Sequence, residues 1–274
     1  MWGVSENLGQ EVIDGLDGPS GSTTTPGVTW VKADYQDPKQ LANILQGVDT
    51  VLSFVIAHLD PGNVAQRNLI DASVAAGVRR FAPSEWFSSS FEHLAWYHGK
   101  IEVRDYLKEL NKDKKVLEYT LFQPGIIMNY FTFPHRSSKH VQPIEFPISF
   151  EKRRALIVDG SEDARINLTT IDDIVHVVTK AIDYEVEWPV IGGMRGSEIT
   201  LGQFVALGEK IRGPFYVQRL QAEDLKAGVI KSDWRLKFEH PSVDPSEAEA
   251  FGTMFLSSIL LAFEAGAMSG SDDL

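Results

Sequence analysis

Thr50-Val51-Leu52-Ser53-Phe54-Val55-Ile56 is an apolar, β-branched run with a single small polar residue inside it. Such a run suits a strand buried on both faces, as strands of a parallel sheet are. Two more apolar runs follow, at residues 78–82 and 116–122, and a helix-period segment lies before each. The first opens at Pro61, carries Ala65, Leu69, Ala72 and Ala76 on one face, and stops at Gly77. The second spans residues 96–110, and Pro124-Gly125 turns the chain after the third run. Strands alternating with helices of this length imply right-handed crossovers and a parallel sheet. The expected fold is α/β, a doubly wound Rossmann-type parallel sheet with a smaller C-terminal substrate lobe.

Upstream, Asp37-Pro38 supplies an N-cap acid and a proline at the first helical position. Leu41, Ile44 and Leu45 form that helix's buried stripe, and Gly47 closes it. Residues 28–31 read as a short strand, and residues 7–16 as a helix with Leu8, Val12 and Leu16 spaced by four. The stretch between them, residues 17–27, is loop chemistry rich in Gly, Pro, Ser and Thr.

Past Asn129 the alternation stops. Residues 131–150 are dense in proline and aromatics, which fits either a substrate-pocket wall or a loop packed back on the sheet. Thr170 caps a helix with Ile171, Ile174, Val175, Val178 and Ile182 inward and Asp172 and Asp173 at its positive end. Thr200-Leu201-Gly202-Gln203 reads as a capping box ahead of Phe204, Val205 and Leu207. Residues 251–268 carry Phe251, Met254, Phe255, Ile259, Ala262 and Phe263 at helical spacing but are broken by Gly252, Thr253, Ser257, Ser258 and Glu264. They read as an amphipathic helix packed on the domain, not a membrane span. The expected division is a Rossmann-type domain over residues 1–130, with 163–184 packing back on it. Residues 131–162 and 185–274 then form the substrate lobe and C-terminal helices.

Of 274 residues, 43% are hydrophobic and 23% charged, enough to bury a core and too patterned for disorder. The formal charge of −12 disfavours a phosphate backbone as partner, so nucleic acid is not expected. Cysteine is absent, which removes disulfides, thiolate metal sites and cysteine nucleophiles. The histidines show no His-x-x-x-His pair, and neither Gly-x-Ser-x-Gly nor Gly-x-x-x-x-Gly-Lys occurs. No metal site is expected. Met1-Trp2-Gly3-Val4-Ser5-Glu6 has no basic or apolar leader character, so a cytoplasmic protein is expected, although Asn167-Leu168-Thr169 is formally a glycosylation sequon.

Gly27-Val28, Asp34, Leu41, Leu45, Gly47-Val48-Asp49 and Val51 are followed by Leu69-Ile70-Asp71-Ala72, Ala76-Gly77-Val78, Arg80-Phe81 and Pro83-Ser84-Glu85. With Lys100, Val103-Arg104 and Gln123-Pro124-Gly125, these phrases resemble the NmrA-like and isoflavone-reductase-like group of atypical short-chain dehydrogenases. The resemblance covers about residues 3–225. It implies an NADP- or NAD-binding domain, reduction of small aromatic or polyketide-like molecules, and, in a minority of members, nucleotide binding without turnover.

The chain departs from the family where the cofactor's phosphates should sit. The glycine-rich turn aligns with Gly3-Val4-Ser5-Glu6-Asn7-Leu8-Gly9, so Glu6 stands where the middle glycine belongs. Its side chain and charge both oppose a pyrophosphate. Only Met1 and Trp2 precede Gly3, fewer than a strand needs, and the first basic residue is Lys32. Weakened cofactor binding is expected on these grounds, with Gly3, Asn7 and Gly9 as its remaining contacts.

Lys100 shares helical spacing with Val103 and Leu107, so it starts from an inward face. Burial would lower its pKa, whereas a snorkelling stem would keep its amine wet. The resemblance gives it the acid/base role and a place beside the nicotinamide. Tyr97 is one residue out of register for a Tyr-x-x-x-Lys pair, since Trp96 stands four before Lys100, and reads as a structural or pocket aromatic. By analogy Ser53, Phe54 and Gln123 line the cofactor. Ser84 either contacts it or caps the next segment, and Asp34 either approaches adenine or is an exposed turn acid. Glu85 reads as a partner for backbone or Arg104. Met128, Tyr130 and Phe131 extend the substrate wall, with Tyr130 as core or pocket.

The leading expectation is an NAD(P)H-dependent oxidoreductase in which Lys100 moves the proton to a small-molecule substrate. A nucleotide-sensing regulator acting on a basic protein partner is the alternative. A non-redox acid/base enzyme on the same scaffold is the third.

Overall fold

The structure, a computed structural model, describes residues 8–17, 28–236, 244 and 246–270. Its elements follow local chemistry closely. Helix α1 (Leu8–Asp17) buries Leu8 and Val12 while Leu16 turns outward. Asp37 caps α2 (Pro38–Ile44) by accepting from the Lys39 and Gln40 amides, and Leu41 packs beneath it. Strand β1 (Thr50–Leu52) is shorter than its apolar run: the Ser53 amide still donates to Ala82 O at 2.8 Å, and residues 54–56 belong to no strand. A 3-10 turn at Pro61–Asn63 leads into α3 (Val64–Ala76), which ends at Gly77 in the left-handed conformation, φ 74°. Strand β2 (Arg80–Ala82), helix α4 (His98–Leu110), and strands β3 (Glu118–Tyr119), β4 (Leu121–Gln123) and β5 (Ile126–Ile127) complete the first half.

Then come β6 (Ile148–Ser149), β7 (Arg154–Val158), β8 (Arg165–Thr169), α5 (Ile171–Ile182), β9 (Ile191–Gly193), β10 (Ser197–Thr200), α6 (Leu201–Arg212), β11 (Tyr216–Leu220), α7 (Ala222–Lys226) and α8 (Ala248–Glu264). Thr170 caps α5 through the Asp173 amide, and Thr200 with Gln203 closes the capping box of α6. Leu207 on α6 and Met254 on α8 are exposed, outside the stripes their spacing suggests. Residues 28–31 form no strand: Trp30 and Val31 are exposed, because nothing among the described residues pairs with or covers them.

β1, β2 and β3 are parallel, in register Val51 to Phe81 to Tyr119. The segment carrying β3 and β4 bonds first to β2 and then to β9, with the Leu121 amide donating to Val190 O at 2.8 Å. Four parallel strands therefore run side by side. Side chains alternate across them. Phe81 and Leu121 pack with Leu41, Leu69, Ile70, Val103 and Leu107 under α2, α3 and α4. Ala82 and Phe122 pack with Leu8, Val12, Ile174 and Val178 under α1 and α5. Helices thus cover both faces, and the expected α/β architecture with parallel strands is what the chain adopts.

A third core joins β7, β8, α6 and α8, with Leu156, Ile166, Phe204, Leu256 and Phe263 in it. Helix α8 is buried over most of its circumference. No helix among the described residues is long and apolar enough to cross a membrane. Asn167 of the formal sequon is fully buried, its amide donating to Pro124 O and Met194 O, so it is closed to glycosylation. Gly125 sits at φ 74°, and a Cβ there would lie 2.4 Å from Asn167 O, so this turn requires glycine.

Candidate active site

Ligands of open α/β sheets bind beyond the carboxyl ends of the strands. Here those ends carry Ser53-Phe54 after β1, Pro83-Ser84-Glu85 after β2 and Gln123 on β4. Helix α4 approaches the same edge with its first turn. Gly99 makes that approach possible, since a Cβ on it would lie 2.6 Å from Asn63 Oδ1. The next residue, Lys100, is only 8% exposed and stands on the buried face with Val103 and Leu107.

The Lys100 ammonium donates to the Glu85 carbonyl oxygen and lies 4.2 Å from the centre of the Tyr97 ring. Burial lowers its pKa from 10.5 to about 8, against the pull of the Glu85 carboxylate and with the push of Arg104. The amine therefore exchanges its proton near the range where an acid/base group works. Glu85, with a side chain 1% exposed, holds Arg104 in a two-pronged ion pair at 3.0 and 2.6 Å. Phe91 lies under the Arg104 guanidinium at 4.3 Å.

Val55, Ala57, Asp60, Asn63, Ser84 and Lys100 border a small cavity of about 10 Å³, the size of one water and walled mainly by apolar atoms. Asp60 is committed to α3, accepting from the Ala65 and Gln66 amides at 2.9 and 3.0 Å. Beside the cavity runs a column of rings. Phe54 stacks on Trp86 at 4.6 Å, Trp86 on Phe122 at 5.3 Å, and Phe122 meets Trp188 edge-on. Trp86 holds φ 45°, rare for a bulky residue, and its indole N–H donates to Ser53 O at 2.8 Å.

Burial raises the pKa of both the Tyr97 and Tyr130 phenols; the neighbouring Tyr97 adds to the rise at Tyr130, and a hydrogen bond with Trp96 offsets part of the rise at Tyr97. Both stay neutral hydrogen-bonding groups. Gln123 is 3% exposed, and its side-chain oxygen has no hydrogen-bond partner. A buried orphan acceptor at a strand's carboxyl end lacks a donor that the protein itself does not supply.

The residues singled out in the sequence divide accordingly. Lys100, Tyr97, Ser84 and Glu85 meet in one place, Tyr130 joins through Tyr97, and Phe54 joins the ring column. Ser53 is buried, with its hydroxyl donated to Gln66 Oε1 at 2.6 Å, so it holds the scaffold and is not open to a ligand. Asp34 is an exposed turn acid, accepting from the Gln36 amide at 2.9 Å ahead of α2. Met128 and Phe131 pack toward the C-terminal core, Phe131 against Phe146 and Phe204. Gly9 is the second residue of α1, where helix N–H groups lack intrahelical acceptors. Gly3, Glu6 and Asn7 lie outside the described residues. Trp86 and Phe91 escaped the sequence reading because a loop has no period to betray a buried ring. The one signal was their density in Trp86-Phe87 and Phe91 directly after a strand.

The profile of the NmrA-like family matches residues 19–213. The chain belongs to the NmrA-like family. Solved structures sharing its fold include an NADPH-dependent quinone oxidoreductase from Escherichia coli complexed with NADPH. That one is 22% identical, with a TM-score of 0.66 over 97% of this chain and 89% of that one. The triphenylmethane reductase of Citrobacter sp. complexed with NADP(H) is 16% identical, with a TM-score of 0.65 over 99% and 91%. At such identities the likeness is one of fold. Among curated proteins, the oxidoreductase aprR of Aspergillus flavus is 31% identical over 143 residues, 45% of this chain and 46% of that protein. The match thus spans less than half of that relative's length.

Proposed function

We propose that this NmrA-like chain is an NADPH-dependent oxidoreductase acting on a small aromatic or polyketide-like molecule. The observation that carries it is a buried lysine amine of lowered pKa among aromatic rings at the carboxyl end of a parallel sheet. Two proteins that share the fold, an NADPH-dependent quinone oxidoreductase and a triphenylmethane reductase complexed with NADP(H), support the same chemistry.

The polar groups at this edge match the reactive end of a nicotinamide cofactor, and the one-water cavity beside Lys100 would have to open to admit it. The orphan oxygen of Gln123 offers an acceptor for a carboxamide N–H, and Ser84 stands half-buried at the cavity with Lys100. When bound, such a cofactor supplies hydride. Lys100 gives or takes the accompanying proton at Nζ, which the Glu85 carbonyl orients. Tyr97 and Tyr130, kept neutral, donate hydrogen bonds to a substrate oxygen, and the surrounding rings exclude water. Turnover is tested by following NADPH absorbance with quinones, triphenylmethane dyes and conjugated aromatic ketones. Steady oxidation with any of these supports the reading, and none with all of them removes it.

Two observations favour the regulatory alternative: the cavity beside Lys100 has room for about one water, and the amine is already engaged by Glu85. A chain of that kind would bind the dinucleotide without oxidising it and pass the signal to a protein partner.

A further inference from the structure

Lys100 and Arg104 lie one turn apart on α4, so two cations stand side by side, Lys100 buried and Arg104 half-buried. Both reach the same strip of backbone, residues 85–89. Glu85 is their shared partner. Its carbonyl oxygen accepts from Lys100, and both carboxylate oxygens accept from Arg104. Arg104 also donates to Ser88 O at 3.0 Å and Ser89 O at 2.7 Å. From the other side, the Gly125 amide donates to Phe87 O at 2.7 Å, and the Ser88 hydroxyl to Ala267 O at 2.6 Å. A carboxylate as buried as that of Glu85 is costly without its counter-ion, so the pair holds together or the strip moves.

We propose that Glu85 and Arg104 are a positioning pair for Lys100, holding the carbonyl that orients its amine and setting, through their opposed charges, which protonation state it keeps. The proposal rests on Lys100 being the group that moves the proton. The groups facing the amine are Glu85 from the strip, Arg104 from α4 and Tyr97 from the turn before it. Tyr130 lies behind Tyr97, and Asp60 sits in the cavity wall with its carboxylate taken by two amides. Glu85 holds the pKa of Lys100 up and Arg104 pushes it down, so removing either charge moves the amine in opposite directions.

The test is to titrate the Lys100 amine directly in the full chain by lysine-selective NMR, assigning its signal by its loss in Lys100→Arg. Glu85→Gln should weaken proton affinity by roughly tenfold, and Arg104→Gln should strengthen it by a similar factor. Glu85→Asp and Arg104→Lys keep each charge but withdraw it, and should move the midpoint the same two ways by about twofold to threefold. They stand in should a glutamine variant not fold. Midpoints unmoved in every folded variant, or moved in the same direction by both sides of the pair, overturn the proposal. Because this titration needs neither cofactor nor substrate, opposed shifts in a chain that never oxidises NADPH would uphold the pair and sink the redox reading alone.

Discussion

Helices α4 and α5 flank the same set of strands on opposite faces, yet they bury different chemistry. The inward face of α5 is wholly apolar, with Ile171, Ile174 and Val178 against α1 and the strands. The inward face of α4 begins apolar at Leu107 and Val103 and then puts Lys100 under the strand ends, with the half-buried Arg104 beside it. A helix that only has to pack has no reason to bury a cation, because it costs desolvation that leucine would not. The cost is confined to the turn nearest the ligand-binding edge of the sheet. Under the proposed function, one helix holds the domain together and the other carries its chemistry.

The sharpest way to break this contrast is Lys100→Met. Turnover should fall by about 10²–10⁴-fold, the range for losing a positioned acid/base group. Full activity in that variant would return α4 to a packing role. On α5 the same kind of change should do the reverse. Ile174→Ala, at a fully buried site, should cost about 2–5 kcal/mol in urea unfolding and leave kcat per folded molecule unaltered.

A pH series separates the helices further. Lys100 titrates at about 8 when folded and near 10.5 when unfolded, so between these values only the unfolded chain keeps the proton. Stability should therefore rise with pH across that window, by at most about 1.4 kcal/mol per unit. Lys100→Met should flatten this rise, whereas Ile174→Ala should keep it. The smallest expected effect is at the cap: Thr170→Ala should lower unfolding free energy by about 1 kcal/mol and leave the pH profile unchanged.

Much of α5 was legible before the structure, because a threonine cap followed by a regular stripe is a local signal. The same holds for the Asp37 cap of α2 and the capping box at Thr200. Residues 28–31 misled because β-branched composition reports a preference, and a strand exists only where a neighbour pairs with it. Lys100 was legible through its spacing with Val103 and Leu107. The setting that gives it meaning was not. The Glu85 carbonyl, the Phe91 ring and the Trp86 column come from a connection without periodicity, brought under α4 by the crossover. Ser53 and Asp34 illustrate the converse: each sits at a suggestive place in the chain, and its hydrogen bonds spend it on the scaffold or a turn.

The central claim is that this sheet edge receives a nicotinamide dinucleotide beside Lys100. Calorimetric titration of the full chain with NADPH, NADH, NADP+ and NAD+ addresses it most directly. The account predicts saturable binding of at least one of them with Kd below about 100 μM, roughly −5.5 kcal/mol. No binding of any of the four at millimolar concentration would contradict it.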